Sequence, residues 1–185
     1  MVDKRLLILK TLENIVRSKR YHEVKIDDLA KKCKIGKGTI YTYFKSKDEM
    51  YYELAMHGIE VVTQELNSIK IEDKDIKELI FCVANKLSNF FEKREAVVKV
   101  LQELNLRKKI MTKARKERMF RNRAELRLSL ARIIQVGINN GIVIDSCSLM
   151  QLSELMIHTL IGRSHWDNDV PTLSVEDLTR LILFK

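Results

Sequence analysis

A chain of 185 residues that holds one proline and six glycines has few places at which a helix can be interrupted. Barrels and sandwiches need a turn every few residues, so this scarcity excludes them and leaves an all-α fold. Apolar residues make up 45% of the chain, enough to fill a core without disulfide or metal staples. Cys33, Cys82 and Cys147 are odd in number and form no CxxC pair, so neither a disulfide framework nor a zinc site is predicted. Residues 1–10 lack the apolar core and cleavage site of a signal peptide, and no apolar run is long enough to span a membrane. The expected setting is the reducing cytoplasm, with no membrane partner.

Apolar residues recur at helical spacing along most of the chain. Ile8, Leu12, Ile15 and Val16 line a first helix capped by Asp3 and ending near residues 18–20. Ile26, Leu29, Ala30 and Cys33 define a second, short helix with Asp27 and Asp28 in its first turn, where the helix dipole favours carboxylates. After the break Lys34-Ile35-Gly36, a third helix is expected from about Lys37 to Phe44, with Ile40 and Phe44 facing inward. Ser46 and Glu49 read as a capping box at the start of a long helix that fades near residues 67–70. Later helices are predicted over Ile76 to Phe91, Val97 to Leu104, Phe120 to Ile138, Leu149 to Leu160, and after a Ser174 cap. Phe120, Ala124, Leu128, Ala131, Ile134 and Ile138 trace the apolar face of the third of these later helices, the one ending at Asn139-Asn140-Gly141.

Charge is segregated. Residues 1–50 carry 13 basic and 7 acidic side chains, residues 107–127 carry 10 and 2, and the remainder is acidic. Two short helices joined by a three-residue break inside a basic region form a helix-turn-helix pattern, which points to double-stranded DNA as partner. The second helix is suited to a major groove. Lys37, Thr39, Thr42 and Lys45 project away from Ile40 and Phe44, Gly38 allows close backbone approach, and Tyr41 and Tyr43 offer hydroxyls to phosphates.

The stretch from Tyr21 to Met50 carries the core Lys37-Gly38-Thr39-Ile40-Tyr41-x-Tyr43-Phe44-x-x-Lys47-Asp48-Glu49, and it resembles the DNA-binding segment of the TetR family of bacterial transcriptional repressors. Gly137, Gly141, Ile142, Asp145 and Gly162 fit the same family farther along. Where family members usually have Gly before the aromatic, a capping Thr, and Gly-Val-Ser in the turn, this chain has Arg20, Lys25 and Lys34-Ile35-Gly36. The departures add positive charge, Lys25 included, where phosphates would lie.

The resemblance implies a homodimer with a DNA-binding head at residues 1–46 and a helical effector-binding and dimerisation body at 47–185. Lys37, Thr39 and Thr42 would read bases, while Tyr41, Tyr43 and Lys47 would hold phosphates. Phe81, Phe90, Phe91, Met119 and Phe120 are candidates to line the pocket for a small, hydrophobic effector. Leu149, Leu152, Met156, Leu160, Leu178, Leu181 and Ile182 are candidates for an isologous interface built from the last two helices. No cofactor, metal or catalytic residue is expected: the histidines show no ligand spacing, and there is no Gly-rich phosphate loop, GxSxG elbow or HExxH helix. The alternative is a helical enzyme or protein-interaction adaptor that keeps the head as scaffold.

Overall fold

A computed structural model of the chain describes residues 3–71, 75–106, 111–143, 147–163 and 174–182, excepting the side chains of 102–106, 160–163, 178, 181 and 182. The described residues form helices α1 (Lys4–Val16), α2 (Ile26–Cys33), α3 (Lys37–Tyr43), α4 (Lys47–Asn67), α5 (Ile76–Lys93), α6 (Glu95–Leu106), α7 (Lys113–Asn139), α8 (Leu149–Arg163) and α9 (Val175–Ile182). A 3-10 turn, Tyr21–Glu23, joins α1 to α2. This is the expected all-α fold with an N-terminal helix-turn-helix.

The chain divides into two compact units, Met1–Gly58 with Arg94–Arg118, and Ile59–Lys93 with Met119–Lys185. In the first, α1 packs on α2 and α6, and α2 packs on α3. Ile8, Leu12, Leu29, Ile40 and Phe44 have at most 1% of their surface exposed, each contributing about 1.5–3 kcal/mol of burial free energy. Short helices such as α2 and α3 are marginal alone, so this packing is what holds them in place. Glu13 is buried among these side chains and lies 3.7 Å from the Arg94 guanidinium. In the second unit, α5 packs on α8 and α9 around Leu79, Ile80, Leu87, Leu130, Leu152 and Met156.

Local signals place most ends as predicted. The Asp3 carboxylate accepts from the amides of Arg5 (2.9 Å) and Leu6 (3.2 Å), which starts α1. The Ser174 hydroxyl accepts from the Asp177 amide at 2.9 Å and donates to its carboxylate, which holds the Asp177 carboxyl below its usual range. Ser46 caps α4 by accepting from the Glu49 amide at 3.1 Å. The return bond differs from expectation: the Glu49 carboxylate takes the Lys45 amide at 2.6 Å, not that of Ser46. Helix α1 also stops at Val16, two residues early, because the Ser18 and Lys19 amides both turn back to the Ile15 carbonyl.

The largest correction concerns α7. It begins at Lys113, about two turns before the expected start, and its buried face runs through Met119, Asn122, Leu126, Leu130, Ile133 and Gly137. Phe120 and Leu128, expected inside, are 63% and 61% exposed, whereas Ala131 and Ile134 are buried as expected. Polar groups mask the true inner face in the sequence. Asn122 is buried because its amide donates to Glu60 at 3.1 Å, and Ser129 because its hydroxyl donates to the Glu125 carbonyl at 2.9 Å.

Candidate nucleic-acid interface

The turn between α2 and α3 sets the attitude of the outward helix. Lys34 adopts a left-handed conformation (φ 54°, ψ 42°), its amide reaches Lys31, and the Ile35 amide reaches back to the Ala30 carbonyl at 3.1 Å. This double closure ends α2 and redirects the chain within three residues, and it is the conformation that glycine adopts at least cost. Gly36, by contrast, sits in extended backbone (φ −69°) as the N-cap of α3. The left-handed residue is therefore a lysine.

Helix α3 buries Ile40 and is followed by Phe44, buried in extended backbone, so one face is fully engaged. Its other face is open. Lys37, Gly38, Thr42, Tyr43 and Lys45 are exposed, Tyr41 is 45% exposed, and Thr39 is half-buried. Tyr41 thus takes no place in the core, while Phe44 does. The Thr42 hydroxyl donates to the Gly38 carbonyl at 3.1 Å, leaving its oxygen lone pairs and its methyl group outward. A side chain at Gly38 would meet no atom of the protein within 4 Å, so nothing inside the fold demands glycine there.

Two of the expected DNA contacts are engaged within the protein. The Lys37 ammonium lies 3.0 Å from the Asp27 carboxylate in the first turn of α2. Lys47 donates to the Tyr21 carbonyl and its ammonium sits 4.2 Å from the centre of the Tyr21 ring. Tyr21 also donates its hydroxyl to Asp48 and meets Tyr51 edge to face at 4.7 Å. These contacts bind the turn after α1 to the start of α4. Lys25, the N-cap of α2, is exposed and makes no side-chain capping bond.

The early arginines of α7 also take part in the first unit. Arg118 pairs with Glu53 of α4 at 2.7 Å, and Arg5 of α1 pairs with the same carboxylate. Arg115 and Arg118 lie 5.2 and 5.7 Å from the centre of the Tyr52 ring, whose hydroxyl donates to the Arg115 carbonyl. None of these pairings was anticipated, since partners 48 to 65 residues apart leave no periodic trace. Arg107, Lys108 and Lys109 lie outside the described residues.

The expected pocket residues occupy different environments. Phe90, Phe91 and Met119 are buried, the two phenyl rings edge to face at 5.6 Å, while Phe81 and Phe120 are exposed. Of the expected interface residues, Leu152 and Met156 are buried within their own unit and Leu149 is half-buried. The side chains of Leu160, Leu178, Leu181 and Ile182 lie outside the described residues. Among the described side chains of α8, the exposed large apolar ones are Met150 and Leu155.

An outward helix with polar and cationic side chains, braced by a buried partner helix through a three-residue turn, defines a helix-turn-helix DNA-binding protein. Residues 8–54 match the family described as bacterial regulatory proteins, tetR family. The chain is 24% identical over 182 residues to the uncharacterized HTH-type transcriptional regulator YhgD of Bacillus subtilis (strain 168), covering 98% of this chain and 93% of that one. A bacterial regulatory protein of the tetR family from Rhodococcus RHA1 shares the fold with a TM-score of 0.77, at 16% identity and 98% coverage of both chains. The fatty acid degradation regulator FadR of Bacillus halodurans does so with 0.73, at 15% identity, over 99% of this chain and 96% of that chain. Residues 8–54 thus match the DNA-binding segment of the tetR family, and the chain as a whole shares the fold of structures described as tetR-family regulators. No helix among the described residues is long and apolar enough to cross a membrane.

Proposed function

We propose that this protein is a cytoplasmic repressor that binds a pseudopalindromic operator as a homodimer and leaves it when a small, hydrophobic effector occupies the body. The observation that carries the reading is the outward face of α3, where Lys37, Gly38, Thr39, Tyr41, Thr42 and Tyr43 have no packing duty that accounts for them. Lys37, Thr39 and Thr42 are assigned to base edges. Tyr41, Tyr43, Lys45, Lys25 and Lys47 are assigned to phosphates. Lys47 stands beside the amides of the first turn of α4, where a phosphate would meet both its charge and the helix N-terminus.

For dimerisation, the exposed Met150 and Leu155 favour a second copy of α8 as occupant of that face, with α9 beside it. Leu152 and Met156 then support the interface from beneath rather than touching the partner. For the effector, the buried Phe90, Phe91 and Met119 favour an apolar ligand, in keeping with a fold neighbour described as a fatty acid degradation regulator. The switch follows from chain continuity. Helix α4 starts at the head and contributes to both compact units, so a ligand that prefers one position of α4 biases the head by its differential affinity.

Enrichment of binding duplexes from a random pool tests the reading directly. The expected product is a two-fold sequence whose half-sites lie about one helical turn, roughly 34–36 Å, apart or a multiple of it. Light scattering of the eluted protein is expected to give a dimer. A pool that acquires no consensus, or a monomer in solution, overturns the proposal and favours the adaptor or enzyme alternative.

A further inference from the structure

We infer that Asp27 is a positioning residue for Lys37 that sets how well the protein tells its operator from other DNA; this rests on the reading of α3 as the recognition helix. Both carboxylate oxygens of Asp27 reach the Lys37 ammonium, at 3.0 and 3.1 Å. The two residues sit at the starts of α2 and α3, whose spacing is fixed by Leu29, Ala30 and Ile40 in the core. Lys37 is the first residue of α3, the end of a recognition helix that meets base edges.

A lysine is a point charge on a flexible stem, and a free one gains counterion-release affinity from any phosphate on any sequence. Asp27 removes that indiscriminate gain. Moving the ammonium from carboxylate to phosphate exchanges one anion for another and leaves Asp27 facing the negative duplex. A base acceptor is different, because the ammonium has three donors and can hold Asp27 with one while giving another to a guanine O6 or N7. The carboxylate turns a mobile charge into a located donor and penalises DNA that offers only phosphate.

The test uses the full-length protein, its selected duplex and a scrambled duplex of equal length, with anisotropy titrations across a salt series. Asp27→Asn keeps the shape of an exposed side chain. It is expected to tighten scrambled-duplex binding about fivefold, roughly the attraction in water of an ion pair near 4 Å that no longer competes with phosphate for the Lys37 ammonium. The salt slope for the scrambled duplex is expected to steepen by about 0.9, one phosphate contact. Binding to the selected duplex is expected to change less, so the specificity ratio falls, and Asp27→Glu is expected to restore most of it. In a Lys37→Met background, Asp27→Asn is expected to leave the ratio unchanged. A ratio unaltered by Asp27→Asn, or an equal fall with and without Lys37, overturns the inference and leaves general electrostatics. If the native protein prefers neither duplex, the parent reading has failed instead, which the same titration shows before any variant is made.

Discussion

Replacing Gly38 by alanine separates what the fold requires from what a DNA partner requires. Glycine inside a helix costs roughly 0.5–1 kcal/mol relative to alanine through the backbone entropy it surrenders on folding. Gly38 lies in the first turn of α3, has no left-handed φ, and a Cβ built there meets nothing within 4 Å. Alanine therefore gains this difference without a clash. For a chain of this length, about 1 kcal/mol moves the melting temperature by about 2–4 °C, so a rise of roughly 1–4 °C is expected in a thermal melt. DNA affinity is expected to move the other way. If the α3 backbone lies against a groove wall, a methyl group displaces it and loses contacts along the helix, for an expected loss of about tenfold or more, about 1.4 kcal/mol. Chemical denaturation and anisotropy on the selected duplex measure the two effects in one preparation. Higher stability with unchanged affinity would refute close backbone approach at Gly38, and lower stability would refute the open space beside it.

Lys34→Gly is expected to stabilise the protein by about 0.5–1 kcal/mol, because glycine meets the left-handed φ of 54° without a Cβ penalty; Lys34→Ala retains that penalty, and equal melts for the two variants would remove strain as the cause. Thr42→Ala is expected to change which sequences are selected while leaving the salt slope intact. Lys47→Ala is expected to weaken all sequences alike, to reduce the slope by about 0.9, and to lower the melting temperature through the lost Tyr21 contacts; a change in sequence preference from Lys47→Ala would contradict the roles given to the two residues. Gly137→Ala is expected to cost about 1–3 kcal/mol in urea unfolding, since its Cβ would lie 2.4 Å from a Val143 methyl and 2.9 Å from Ile80 Cδ1; a neutral result would mean that this part of α7 packs less closely.

Sequence alone determined the features governed by neighbours within about one helical turn. Scarce helix breakers and apolar spacing determined the helices; Asp3, Ser46 and Ser174 determined where three of them start; and the signature around α3 carried the resemblance that the match at residues 8–54 bears out. Tertiary structure decided which face of a polar-rich helix is inner, and which cations are already engaged. The α7 face was misread at Phe120 and Leu128 because Asn122 and Ser129 look like surface residues until Glu60 and the Glu125 carbonyl satisfy them. Asp27, Glu53 and Tyr21 showed nothing unusual along the chain, since their roles depend on Lys37, on Arg5 and Arg118, and on Lys47, brought to them by folding. Periodicity reports burial through residue type, whereas a charge pair depends on distance in space, which the linear order of residues does not carry.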